Sequence, residues 1–345
     1  MPAASASAVQ NDSASLAAAL DAAVVCDLAP LAILAIDGPD ATTFLNGQLS
    51  SDISILTSGV CQYASYNSPG GRMMANMVLW RTGSDAADGF RALLSAELAE
   101  SVRKRLAMFV LRSKVTITDV TATTARFGVG GPAAGDALRA ALGVLPSTFA
   151  AARRDAVIAL GVPGPRYLVL APADRGAETL KALARAARPA GYDAWAWLTI
   201  HAGVPVITAA TQDKFVPQTV NWDVLGGINF QKGCYTGQEI IARTQYLGRL
   251  KERLYAFAAA ITAIAPGDRL YSAEFGEQPC GTVVNAAPAP QGGSELLAVV
   301  QIAAATNAAV HVGAPDGPVL TPLPLPYSMP APATPRARTA GMNSG

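Results

Sequence analysis

Only two histidines, His201 and His311, occur in this chain, and its four cysteines (Cys26, Cys61, Cys234 and Cys280) stand far apart with no Cys-x-x-Cys pair. That scarcity argues against a histidine-based metal centre, a Ser-His-Asp triad, a zinc ribbon and a disulfide framework. No metal site is expected. Charge is sparse as well: charged residues make up 15% of the chain and the net charge is +1, so bulk electrostatics do not draw it to nucleic acid or to an anionic membrane. Long apolar runs are missing. The most hydrophobic stretch, residues 17–36, is interrupted by Asp21, Asp27 and Pro30, and falls short of the roughly 20 apolar residues of a membrane span. Residues 1–15 are rich in alanine and serine and carry no basic residue, so they lack the charged start of a secretion signal. The expectation is a soluble protein in a reducing, cytoplasmic compartment.

What the chain does have is apolar material. With 51% hydrophobic residues over 345 positions, two or three domains can bury cores. Residues 1–20 and the Pro/Ala-rich tail 329–345 are low in complexity and read as disordered. Residues 31–36, 60–66, 72–80 and 90–94 read as strands, with turns at Ser68-Pro69-Gly70-Gly71 and Asp88-Gly89. Residues 96–109 repeat leucine and valine at helical spacing, beside a solvated basic face of Arg103, Lys104 and Arg105. Gly128-Val129-Gly130-Gly131 resembles a dinucleotide fingerprint only superficially, because Ala133 stands where the third glycine belongs. After residue 250 short strands alternate with Gly/Pro turns. The pattern is an α+β body over 21–250 followed by an antiparallel β-barrel over 251–328.

The densest chemistry lies at Lys232-Gly233-Cys234-Tyr235-Thr236-Gly237-Gln238-Glu239. Ile228-Asn229-Phe230 ahead of it reads as strand-like. Thr236 and Glu239 have capping-box spacing, which would set Cys234 just before a helix N-terminus with Lys232 beside it. Both positive influences favour a thiolate. On residues alone, Cys234 reads either as a reactive thiol or as a small buried hydrophobe.

This octapeptide resembles the signature of the YgfZ family of folate-binding proteins, relatives of the glycine-cleavage T-protein, GcvT. Asn46 to Ile53, Ser113-Lys114-Val115, Phe215-Val216-Pro217-Gln218 with Asn221, and Leu325-Pro326-Tyr327-Ser328 are similar to its other segments, in the same order. The resemblance implies a GcvT-like fold: two intertwined α+β subdomains and a C-terminal barrel around a central groove for tetrahydrofolate. It also implies a role in iron–sulfur cluster assembly or repair, with iron–sulfur enzymes or assembly proteins as partners, and through them support of tRNA modification. No direct contact with nucleic acid or membrane is expected. By the same resemblance Trp195 would stack on the folate and Leu31 would form an aliphatic groove wall. His201 would stand where relatives use a glutamate, and Asn76 would lie in the stretch that carries the T-protein's catalytic aspartate. No carboxylate occurs between Met73 and Met77, which argues against classical aminomethyl transfer. Cys234 would be the key thiol and Lys232 its activator. A folate-dependent aminomethyltransferase or demethylase, and a thiol redox or sulfur-transfer protein, are the competing readings.

Overall fold

Continuous apolar runs, rather than alternating ones, build the strands of the body, because helices or a second sheet cover both faces. The computed structural model describes residues 13–83, 89–246, 248 and 250–329. One sheet has five strands in the order Cys61–Asn67, Met73–Arg81, Phe90–Ser95, Leu31–Asp37 and Thr116–Asp119, all antiparallel. The other has six, in the order Arg188–Ala190, Val24–Asp27, Thr124–Gly130, Arg166–Pro172, Val157–Val162 and Ala151–Arg154. The chain lays Val24–Asp27 in the six-stranded sheet, leaves to build the whole five-stranded sheet, and returns at Thr124. That exchange intertwines the two halves, and one hydrophobic core runs through both.

The barrel closes with strands Glu252–Ala259, Ser294–Gln301, Gly281–Pro288, Arg269–Tyr271, Val310–Val312 and Val319–Leu323 in that order. Period-two alternation explains how it docks. In Ser294–Gln301, Leu296, Ala298 and Val300 fill the barrel interior, while Leu297 and Val299 join the core of the body. A buried bidentate pair fastens the same seam, Arg253 donating to Asp223 at 2.8 and 3.1 Å.

Three local expectations differ from what is observed. Ser13–Asp21 form a helix, where residues 1–20 read as disordered; its alanines Ala18 and Ala19 are buried in the main core, so packing supplies what low complexity hides. The helix expected over 96–109 ends at Ala107. Residues 228–230 form no strand: the Asn229 side chain accepts from the backbone N–H of Gln231 and Lys232 at 2.8 and 3.0 Å, closing a turn that competes with extension. The expected turn at Asp88 and the tail beyond 329 lie outside the described residues. Within the basic run at 103–105 Lys104 is exposed while Arg103 and Arg105 are half-buried, and Arg103 and Lys104 pair with Glu100.

Candidate functional site

The helix after the signature begins at Gln238, not at Thr236, so the expected capping box does not form. Gly237 takes a left-handed φ of 80°, and Gln238 Oε1 accepts from the Tyr235 amide at 3.3 Å instead. A side chain at Gly237 would meet the Ser68 carbonyl at 2.5 Å, and one at Gly71 would meet Ile240 at 2.8 Å. Two glycines from distant segments therefore let the 68–71 turn press against the start of this helix.

Lys232 is nearly buried, yet its ammonium does not serve a thiolate. Nζ donates to the carbonyls of Asn46, Leu49 and Ser51 at 2.6, 2.7 and 3.0 Å, and lies 4.9 Å from the centre of the Tyr235 ring. An ammonium has three donors, and all three are spent on the end of the helix Ala41–Gln48 and the residues just after it. Burial lowers its pKa to about 8, so it still carries charge near neutrality. The activator role read from sequence is thus replaced by a clamp joining the early motif to the signature. Cys234 is exposed. Cys26, Cys61 and Cys280 are buried, and burial raises the first two thiols to about 12, which makes them poor redox partners.

Leu31, Asn76 and Trp195, far apart in sequence, line one cavity of about 70 Å³ between the two sheets. Trp195 projects from the helix Tyr192–His201, and only glycine fits beneath it: a Cβ at Gly128 would lie 2.3 Å from its ring. The glycines that mimic a dinucleotide fingerprint are thus packing positions. The Asn76 amide is committed to the backbone, donating to Pro205 O at 2.7 Å and accepting from the Ile207 amide at 2.8 Å. Tyr63, Arg166, Thr199 and Trp222 complete the polar and aromatic wall, and Tyr63 stacks on Trp222 at 4.8 Å. Sequence reading missed all four. Arg166 heads an apolar strand, Arg166-Tyr167-Leu168-Val169-Leu170, and a charge at a strand end ordinarily reads as exposed.

His201 and Cys234 are not among the residues lining this cavity. His201 faces a separate cavity of about 490 Å³ with Trp197, Pro163, Leu225 and Tyr327, and stacks on Trp197 at 5.0 Å. Trp195 and Trp197 thus serve different cavities. His201 Nδ1 stands 3.6 Å from Glu295 of the barrel, long for a hydrogen bond but close for an ion pair. Among the described residues, no cluster of three His, Cys, Asp or Glu could hold a metal ion, and no helix is long and apolar enough to cross a membrane.

The architecture is that of the glycine-cleavage T-protein. The aminomethyltransferase T of the glycine cleavage system from Bartonella henselae superposes with a TM-score of 0.73 over 90% of this chain and 87% of its own, at 15% identity. Residues 5–153 match the GCVT N-terminal domain. The tRNA-modifying protein YgfZ of Klebsiella pneumoniae is 33% identical over 304 residues, covering 86% of this chain and 91% of that protein. Its counterpart in Edwardsiella ictaluri is 31% identical over 299 residues, 85% of this chain and 89% of that protein. This chain belongs to the YgfZ family.

Two outcomes follow from these contacts. Lys232→Met strands three carbonyls and should cost about 2–4 kcal/mol in urea unfolding, whereas Cys234→Ala, at an exposed position, should stay within about 0.5 kcal/mol; equal losses would show that the clamp is not what holds the loop. The Glu295 carboxylate raises the His201 imidazole above its ordinary value, against an opposing effect of burial. The pair therefore stabilises the fold below the unfolded histidine's value, and the gain is lost as pH rises through the folded one. The Tm difference between wild type and His201→Gln should be widest near about pH 5.5 and close by about pH 8.5; a difference that does not change with pH would contradict the pairing.

Proposed function

We propose that this chain is a reduced-folate-binding accessory protein for iron–sulfur cluster assembly or repair, supporting tRNA modification through iron–sulfur enzymes, and working in the cytoplasm. The observation that carries the reading is the convergence of Leu31, Asn76 and Trp195 on one aromatic-walled cavity. The residues there suit a folate. Trp195 offers a flat indole for ring stacking, Gly128 makes room for that indole, and Arg166 keeps a donor unspent. Leu31 and Trp195 would hold the ring, and the bound folate would supply one-carbon chemistry or act as an effector. At about 70 Å³ the cavity is well below the roughly 300–1,000 Å³ of sites that enclose a whole ligand. It admits the edge of a planar ring, with the rest of the molecule outside.

The lining contains no aspartate or glutamate. Aminomethyl transfer requires a negatively charged partner for the folate amine, so this wall argues against that activity. Cys234, exposed and outside the lining, fits a thiol that meets a cluster or sulfur species carried by another protein. It does not fit one attacking a bound folate.

Calorimetry with 5-formyl-tetrahydrofolate should detect binding accompanied by quenching of tryptophan fluorescence. Trp195→Leu should weaken that binding roughly five- to tenfold; no heat at millimolar ligand would sink the folate reading. Cys234→Ala should abolish rescue of an iron–sulfur enzyme defect in cells while leaving folate affinity within about twofold, since an exposed side chain outside the cavity does not alter its wall. Rescue by that variant would remove the thiol from the function.

A further inference from the structure

Arg166 is the one charged residue on the wall of the central cavity, and among the described residues no carboxylate lines that wall with it. The residue is only 2% exposed. Nε donates to Pro163 O at 2.9 Å and Nη1 to Thr199 Oγ1 at 2.6 Å. Nη2 has no hydrogen-bond partner among the described residues. The Tyr63 hydroxyl lies beside the guanidinium and couples to its charge, but it leaves Nη2 without a well-formed bond. Thr199 offers no further donor, because its hydroxyl proton goes to Trp195 O at 2.7 Å. A guanidinium stays protonated even when buried, and a buried charge without a partner is strongly unfavourable. Arg166 Cζ lies over the Trp195 ring, 5.2 Å from the ring centre, so the orphan donor and the indole share one wall.

We infer that this cavity selects its ligand by an oxygen acceptor: Arg166 and the Tyr63 hydroxyl form a donor wall that receives the 4-oxo edge of a pteridine stacked on Trp195 and rejects a 4-amino edge. The inference rests on the folate reading above and adds its polarity. A pteridine presents two kinds of hydrogen-bonding edge. A carboxylate would read the amino-bearing donor edge, and no carboxylate lines this cavity. A guanidinium reads an oxygen. The branched glutamate tail of a folate also carries oxygens, but a space of about 70 Å³ beside a flat indole suits a ring edge and not a dicarboxylate.

The test uses a matched pair, folic acid and its 4-amino analogue aminopterin, which differ only by oxygen or amino at C4. Calorimetry on the wild-type protein should show folic acid binding on the order of tenfold to a hundredfold more tightly, because the analogue sets a donor against a buried charged donor. Arg166→Met should bind both within about threefold, and Arg166→Lys should keep part of the preference. Near-UV circular dichroism verifies that each variant is folded. Equal affinities in the wild type, or tighter aminopterin, overturn the inference while leaving the folate reading intact. So does a preference that persists in folded Arg166→Met. Tetrahydropterin, which lacks the aminobenzoyl-glutamate tail, separates the two sources of oxygen: if its affinity is indifferent to Arg166→Met while that of folic acid falls, the arginine reads the tail and the inference fails. Absence of binding by every ligand up to millimolar concentration removes both readings together.

Discussion

One ammonium group fixes the geometry on which the signature segment depends. Lys232 gathers three carbonyls from residues 46–51, about 180 positions earlier in the chain. Taking an ammonium out of water is costly, and only a full set of well-placed acceptors offsets that cost. Lysine suits the task better than arginine, because three carbonyls converging on a point match a compact tetrahedral donor and not a planar fork. With the loop held, Ser50 and Ser51 reach the Gly227 carbonyl, and the Asn229 amide bonds to Ser50 O at 2.9 Å. The signature therefore cannot be displaced without disturbing the early motif, and the two are built as one unit.

Beside this clamp, Arg166 shows the opposite use of a buried cation. Lys232 spends every donor on the backbone, while Arg166 bonds through Nε and Nη1 and leaves Nη2 without a partner among the described residues. A fold that needed only structural satisfaction would be served by filling the third position or by removing the charge. Keeping a cation with an open donor on an aromatic wall costs stability, and such costs concentrate where a protein binds something. Burial also pulls the guanidinium below its usual pKa without neutralising it. The two residues divide the labour: Lys232 holds the early motif, and Arg166 keeps an open donor on the cavity wall.

The fold was more legible in the sequence than the site. Strands such as Leu31–Asp37 and Cys61–Asn67 were visible because apolar runs bounded by Gly/Pro turns carry their own signal, whatever packs on them. The first helix was not visible, since alanines gain their stability here from burial against a distant core and not from a strong local pattern. Within the site, Leu31, Asn76 and Trp195 were found through resemblance to a family and do meet at one cavity. His201 was placed with them by the same resemblance, yet it lines the other cavity, because sequence correspondence fixes a residue's position on a helix but not the surroundings that its side chain enters. Lys232 was read as a neighbour of Cys234 along the chain. Its side chain instead follows the free energy of three carbonyls across the fold. Arg166 was silent for the same reason, since only the tertiary structure reveals which donors are already spent.

The separation of cavity and thiol constrains how they can cooperate. A ring bound in the cavity would not share a wall with Cys234, so any influence of one on the other would have to pass through the protein. The contacts supply a short route. Ser51, whose carbonyl accepts from Lys232, donates its hydroxyl to Tyr63 O, and Tyr63 lines the cavity and stacks on Trp222. Lys232 in turn is two residues from Cys234. A ligand that shifts the strand Cys61–Asn67 must either break the Ser51 bond or carry residues 46–51 and the clamp along. Breaking it would leave the Ser51 hydroxyl only its longer contact to Gly227 O at 3.1 Å, and moving the segment would stretch the Lys232 bonds that hold the signature in place. The rigidity that keeps the thiol-bearing segment in position is therefore also what would couple it to the cavity. That makes the clamp, and not proximity, the physical basis on which a folate in the cavity, as proposed, and the thiol would belong to one function.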